Sequence, residues 1–384
     1  MNPGDDVAAR VHPEGPLKPG QTSFGEIRSW AGALRALLHR HTVPQGLRAY
    51  HTLGAVLLAL LGVQAVTGVL LLFYYQPAPE RAHESVRLLM NGVPWGWAVR
   101  SLHRWAGEGM IIAAFLHMGR VFFTGAFKRP REATWVAGFF LFVTVFGLAF
   151  TGYLLPWDQK AFWGTTIGAQ MVHQVPVIGE FIAGLMKGGK QVGAATLTRF
   201  FALHAVVLPA AMVILIAVHV ALVYRVGAAD PLPRRRNAGA SPGRTPYVHF
   251  MRREILAGVL AIALLLLWTA WNPAPLDAPA DPALTPEHVK PEWPFLAFYQ
   301  SLKYFPAGEV FPGFSYLQLA VILQGLPFLL ILLVPFLDRS EDRSPLRRKW
   351  ATGIALGIIL LWAVLTYLGH YAGGPEPIFG IEVS

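Results

Sequence analysis

The chain has 384 residues, of which 54% are hydrophobic and only 14% charged. A water-soluble domain of this length needs more charge to cover its surface, so the composition places the chain in a membrane. There is no Cys, which excludes disulfides, thiolate-held iron–sulfur clusters, CxxCH haem attachment and Cys-ligated zinc. A redox metal here falls to His, Met or carboxylates, and thirteen His are available. The net charge of +10 reads as basic loops on one side of a membrane, with no nucleic acid involved.

Residues 1–23 are rich in Pro and Gly, mix both charges and lack the apolar core of a signal peptide; they read as a mobile tail. Over 24–41, Phe24, Ile27, Trp30, Leu34, Leu37 and Leu38 recur at helical spacing with Arg28 and Arg35 among them. This predicts an amphipathic helix lying on the membrane surface. Seven later segments are long and apolar enough to span a bilayer, at roughly 51–75, 101–124, 134–155, 201–224, 254–271, 316–337 and 350–370. The predicted fold is an all-α membrane protein in two halves. Residues 24–226 hold the surface helix and a four-helix bundle, and 248–384 hold three more helices. The Pro/Gly-rich, basic segment 227–247 links them. The loop 272–315 is long enough to suggest function.

With the N-terminus inside, the inside loops carry 19 Lys and Arg and the outside loops 9. This bias puts the N-terminus and Arg234-Arg235-Arg236 on the cytoplasmic side.

Polar residues at membrane depth are costly and mark function. His103 and His117 lie 14 residues apart in the second span, nearly on one face and about 21 Å apart along the axis. His204 and His219 lie 15 apart in the fourth span, off one face by about 60° the other way. Pro209 between them offers a bend to absorb the extra residue. The two spans run in the same direction, so His103 pairs with His204 outside and His117 with His219 inside. One intramembrane His is most simply a hydrogen-bond partner. Two pairs of matching separation predict two non-covalent, bis-histidine b-type haems stacked across the membrane.

Gly54 and Gly68 in the first span, and Gly138 and Gly152 in the third, repeat the 14-residue interval. Small residues are common in membrane helix packing; in register with the histidines they predict clearance for a porphyrin. Arg100 and Arg120 flank the second-span histidines by three residues, placed to hold haem propionates, with Arg104 and Arg199 further candidates near the outer haem.

The stretches VRSLHRWAGEGMIIAAFLHMGRVFFTGAFKRPRE, TGYLLPWDQKAFWGTTI, TLTRFFALHAVVLPA and PEW at 291–293 closely resemble cytochrome b of the cytochrome bc complexes, in order from about residue 45 to 370. The 14/15 histidine spacing and LPWDQ are more similar to the chloroplast and cyanobacterial branch, with its two subunits joined here into one chain.

The resemblance implies a quinol–cytochrome c oxidoreductase working by a Q-cycle. Quinol is oxidised at an outer site, and one electron passes to a Rieske iron–sulfur protein and a c-type cytochrome. The other crosses the two haems to an inner quinone site, with proton translocation. It implies a homodimer in a bacterial cytoplasmic membrane. It places Glu292 at the outer site as proton acceptor, with burial expected to raise its pKa. Tyr299, Tyr153, Pro156 and Trp157 would line that site, and Gly164 would lie where the Rieske protein docks. Glu254 resembles the carboxylate near the inner quinone site, although a Glu opening a helix also suits its dipole; Arg225 and Asp230 are weaker inner candidates. PEWP replaces PEWY, so Pro294 removes a tyrosine and a backbone donor. Thr52 occupies the position of the Cys that holds an extra haem in the chloroplast branch, so no covalent extra haem is expected. Two alternatives carry fewer features: a di-haem membrane anchor of another quinone-linked dehydrogenase, and a non-redox transporter with structural histidines.

Overall fold

A computed structural model describes residues 42–231, 243–285 and 290–371. The expected tail, the surface helix over 24–41 and the Arg234-Arg235-Arg236 run lie outside the described residues. Strand β1 (Thr42–Pro44) leads through a 3-10 turn at Ala49–Thr52 into α1 (Leu53–Leu72). Then come α2 (Ala82–Gly92), α3 (Gly96–Phe123), α4 (Glu132–Tyr153), α5 (Gln159–His173), α6 (Gly179–Lys187) and α7 (Ala194–Ala202). A π-helical turn at Leu203–Val207 joins α7 to α8 (Leu208–Val226) without a break. Strand β2 (Arg244–Pro246) runs directly into α9 (Tyr247–Trp271). The C-terminal part adds α10 (Trp293–Leu302), a small hairpin of β3 (Glu309–Phe311) and β4 (Phe314–Ser315), α11 (Tyr316–Leu337) and α12 (Lys349–Tyr371).

Among the described residues, seven helical runs are long and apolar enough to span a membrane: Ala49–Leu72, Gly96–Phe123, Glu132–Tyr153, Ala194–Val226, Tyr247–Trp271, Tyr316–Leu337 and Lys349–Tyr371. They coincide with the seven predicted from hydropathy. In lipid every backbone polar group must be satisfied internally, which a helix does within its own segment. Apolar side chains such as Val213, Leu264 and Leu360 point outward, as a lipid-facing surface requires.

Helix α1 packs along α3, and α4 along α8, making the two walls of a four-helix bundle. Its centre is an apolar cluster of Leu60, Met110, Ile111, Val145 and Met212. Helix α9 packs against α1 and α3, and α11 against α4, so the C-terminal spans cover the bundle's flanks. The two halves are also laced by backbone. Strand β1, ahead of the first span, pairs antiparallel with β2 at the end of the linker segment.

At one end of the bundle, a cluster of Leu154, Trp157, Phe162, Leu197 and Phe200 holds α5 to α7 against the bundle. At the other, Arg348 is buried between loops. It donates to the Phe122 carbonyl at 2.6 Å and to Asp338 at 2.7 Å. Lys128 donates to the second Asp338 oxygen at 2.8 Å. This cluster ties the α11–α12 loop to the α3–α4 loop.

Candidate functional site

The four intramembrane histidines all turn inward between the bundle walls. His103 and His204 face each other with ring centroids 6.0 Å apart and planes at 76°. Two imidazole nitrogens each about 2 Å from one metal put their ring centroids roughly 6 Å apart, so this pair fits a shared axial metal. His117 and His219 lie within electrostatic reach of each other near the opposite end.

The unequal spacing is resolved by the π-helical turn, which contains His204. A π-turn accommodates one extra residue, so 15 residues behave as 14 and His219 returns to the face that His204 uses. The structure therefore takes up the extra residue at Leu203–Val207, immediately ahead of Leu208 and Pro209. Pro209 lies just past the turn in the same continuous helix, and the N–H it lacks is the one an α-helix would give to the Ala205 carbonyl inside the turn.

Each glycine of the matched set meets one histidine. A Cβ built on Gly68 would lie 3.2 Å from the His103 ring, and one on Gly152 only 2.5 Å from the His204 ring. The inner pair repeats this, with Gly54 at 3.5 Å from His117 and Gly138 at 3.2 Å from His219. The room these glycines leave is taken first by the histidine imidazoles.

A cavity of about 720 Å³ opens between the walls at the His103–His204 end. Both histidines, Gly68, Gly152, Arg100 and Arg104 line it. It is predominantly apolar, of a size that takes a large planar ligand. Arg100 is buried and gives two donors to the carbonyls of Ala274 and Pro275 in the outer loop. Arg120, near Tyr50 and His51, keeps a buried Nε with no hydrogen bond, the kind of orphan that an anionic group would satisfy. Arg199 is not among the residues that line the cavity. Its guanidinium donates to the carbonyls of Leu185 and Gly184 and closes the end of α6. The donor sets thus fit bis-histidine haem, with Arg100 and Arg104 on the His103–His204 side and Arg120 beside His117, while Arg199 is engaged with α6.

The outer-loop residues divide between two cavities. Tyr153, Tyr299, Phe298, Pro291 and Gly164 line a smaller one of about 220 Å³. Tyr153 and Phe295 also line the larger, as do Pro156 and Glu292. The Tyr153 hydroxyl donates to the Lys160 carbonyl at 2.8 Å. Trp157 is buried with a left-handed backbone (φ 51°), forming the tight turn after Pro156. Asp158 then caps α5 by accepting from the Ala161 N–H. Gly164 is buried against the Tyr153 ring, where a Cβ would lie 2.8 Å away. Its smallness therefore serves Tyr153 directly.

Glu292 departs from expectation. It does not sit alone in an apolar loop: one carboxylate oxygen accepts from Arg104 at 2.9 Å and from Lys160 at 2.8 Å. Burial pushes its carboxyl up, but Arg104 and Lys160 outweigh burial and hold it below the usual carboxylate range. The expected upward shift is thereby corrected. Lys160 and Glu108 are neighbours in this charged cluster that were not singled out from the sequence. Glu108 pairs with Arg104 at 3.5 Å and accepts from the Trp293 indole at 3.2 Å. Its position inside the second span was the available signal; Lys160 gave none. Pro294 falls in the first turn of α10, so the donor it lacks is one that a helix start leaves free. Tyr299 packs under the Lys303 ammonium, and burial raises its phenol.

At the other end, Glu254 accepts a short hydrogen bond from Tyr247, two turns earlier on the same helical face. Asp230 offers its carbonyl to Arg343. Thr52 is buried and donates to the Ala49 carbonyl at 2.6 Å.

Fold and site together define a polytopic membrane protein whose core helices present histidines in matched pairs to an apolar cleft. Residues 38–227 match the family Cytochrome b/b6/petB, and residues 279–380 the family Cytochrome b(C-terminal)/b6/petD. The cytochrome bc complex cytochrome b subunit of Chlorobaculum thiosulfatiphilum is 35% identical over 317 residues, covering 81% of this chain and 72% of that protein. Cytochrome b6 of Heliomicrobium gestii is 45% identical over 193 residues, covering 50% of this chain and 91% of its own length. A solved hyperthermophilic respiratory Complex III chain superposes with a TM-score of 0.78 at 25% identity, covering 92% of this chain and 91% of that one. The chain belongs to the cytochrome b family. It is an integral membrane, electron-transport subunit of a cytochrome bc-type complex, and its family is one of b-type haem proteins. Membership sets aside the transporter and the unrelated di-haem anchor.

Proposed function

We propose that this chain is the quinol-oxidising cytochrome b of a proton-translocating quinol–cytochrome c oxidoreductase working by a Q-cycle. The observation that carries the reading is the facing pair His103 and His204, 6.0 Å apart in a cleft that Gly68 and Gly152 keep open. His103 and His204 would hold the outer b haem, and His117 and His219 the inner. When bound, such haems supply reversible one-electron transfer across the membrane. No covalent extra haem is proposed, since the chain has no Cys.

Quinol would enter the space bounded by Tyr153, Tyr299 and Phe298, with Pro156 and Trp157 shaping the adjoining turn. Glu292, ionised beside Arg104 and Lys160, is a ready proton acceptor; release of one cation would raise its affinity for the proton. Glu254 with Tyr247 would serve the inner quinone site. A Rieske protein and a c-type cytochrome would take the other electron at the outer face, in a homodimeric complex of a bacterial cytoplasmic membrane, with the N-terminus cytoplasmic.

The test is haem quantification with redox-difference spectra on the purified complex. Two b haems per chain are expected, and one each in His103→Ala and His117→Ala variants. A haem-free wild-type complex, or a single haem, overturns the reading.

A further inference from the structure

The outer and inner histidine pairs are held differently, and the difference traces to one residue type. Each outer glycine is preceded by threonine, as Thr67-Gly68 and Thr151-Gly152; the inner glycines follow Leu53 and Ala137. The Thr67 hydroxyl is 2.9 Å from His103 Nδ1 and 2.6 Å from the Val63 carbonyl. A hydroxyl has one proton. The Val63 carbonyl can only accept, so that proton goes there, and Thr67 Oγ1 must accept from His103 Nδ1–H. His204 repeats the logic: its Nδ1 lies 3.0 Å from the Leu148 carbonyl, a pure acceptor, and 3.4 Å from Thr151 Oγ1. The Thr151 hydroxyl gives its own proton to the Gly147 carbonyl at 2.7 Å. Both outer rings are therefore protonated on Nδ1, which leaves each Nε2 with a lone pair. At the inner pair no threonine hydroxyl reaches either ring: His117 Nδ1 is buried without a hydrogen bond, and His219 Nδ1 has only the Thr134 backbone near it, outside normal hydrogen-bond geometry.

We propose that Thr67, supported by Thr151, is a positioning residue that fixes the tautomer of the outer ligands and makes them more basic than the inner ones. This rests on the bis-histidine reading above. An imidazole that donates from Nδ1 to a firm acceptor is a stronger donor through Nε2. A stronger donor favours the more positively charged, oxidised iron. The outer haem is then held at a lower reduction potential than its ligand set alone would give, and electrons leave it toward the inner pair.

The experiment is a spectroscopic redox titration of the purified complex carrying Thr67→Val, with Thr67→Ser beside it. Valine keeps the shape and removes the acceptor; serine keeps the acceptor. In Thr67→Val the outer haem should be reduced more easily by about tenfold, or ~59 mV for one electron, while the inner haem keeps its wild-type midpoint. Thr67→Ser should titrate like the wild type. An unchanged outer midpoint in Thr67→Val with both haems retained overturns the proposal and leaves the bis-histidine reading standing. Equal shifts in both haems, or a serine variant that behaves like valine, overturn it as well, since a packing defect would do either. A wild-type complex without two b haems overturns the underlying reading instead.

Discussion

Glu292 shows how one carboxylate changes character with its neighbours. Burial alone favours the neutral acid, yet two cations on one oxygen reverse the balance. Because the folded-state value is depressed, the ion pairs stabilise the fold at pH values above the ordinary carboxylate range, near 4.3. That stability is lost as pH falls through the lower, folded value. The same holds for the acceptor's readiness: quinol oxidation should fail on the acid side only below the usual carboxylate pH. Lys160→Gln removes one of the two cations and should move that acid limb of the pH–rate profile upward. Glu292→Gln should slow turnover severalfold or more with both haem spectra intact. Stopped-flow quinol oxidation across pH reads both; an unmoved limb in Lys160→Gln would detach Lys160 from the mechanism. The identities of Glu292, Tyr153 and Tyr299 were readable from motif resemblance. The cations beside Glu292 were not, because Lys160 arrives from α5, 132 positions away, and no local pattern encodes such a meeting.

At the scale of elements, the π-turn decides whether the fourth span can serve two sites. Spacing alone showed a discrepancy of one residue between the second and fourth spans, and Pro209 was the visible candidate to absorb it. The structure assigns the correction to Leu203–Val207. Pro209 has no N–H to give the Ala205 carbonyl, which lies inside that turn, so the proline loosens the helix at the place where the extra residue is taken up. Deleting Val206 should convert the π-turn to a regular turn, keep His219 in phase and retain both haems. Deleting Val213, in the regular helix beyond, should rotate His219 by about 100° and cost the inner haem while sparing the outer. Haem counts and spectra on the two deletions check this, and inner-haem loss in both would refute the register argument.

For the whole molecule, the two halves meet at more than helix faces. Strand pairing between residues 42–44 and 244–246 and the Lys128–Asp338–Arg348 cluster close the assembly at the His117 end. Burial pushes the Asp338 carboxyl up, but hydrogen bonds from Lys128 and Arg348 outweigh it and hold it below its usual range. Its contribution is therefore present above the ordinary carboxylate pH and lost as pH drops through the folded value. Asp338→Asn leaves Arg348, with its side chain only 1% exposed, without a counter-charge. Breaking a buried pair in this way costs about 3 kcal/mol. Thermal melts in detergent should show a clear loss of stability with the haem spectra unchanged below the transition; an unchanged melt would show the cluster to be dispensable.

The sequence by itself determined the membrane class, the seven spans and the histidine pairs. These rest on apolar runs and on helical periodicity, and in lipid a spanning segment has almost no choice but helix. It also exposed the glycines, because their interval repeats that of the histidines. The tertiary structure alone decided which glycine meets which imidazole, that Arg199 caps α6, that Gly164 makes room for Tyr153, and that Glu292 is held ionised. It also showed that Thr67 and Thr151 reach His103 and His204. Each of these depends on side chains brought together from distant segments, and at such contacts the energy is set by which partner arrives, a fact that local periodicity does not carry.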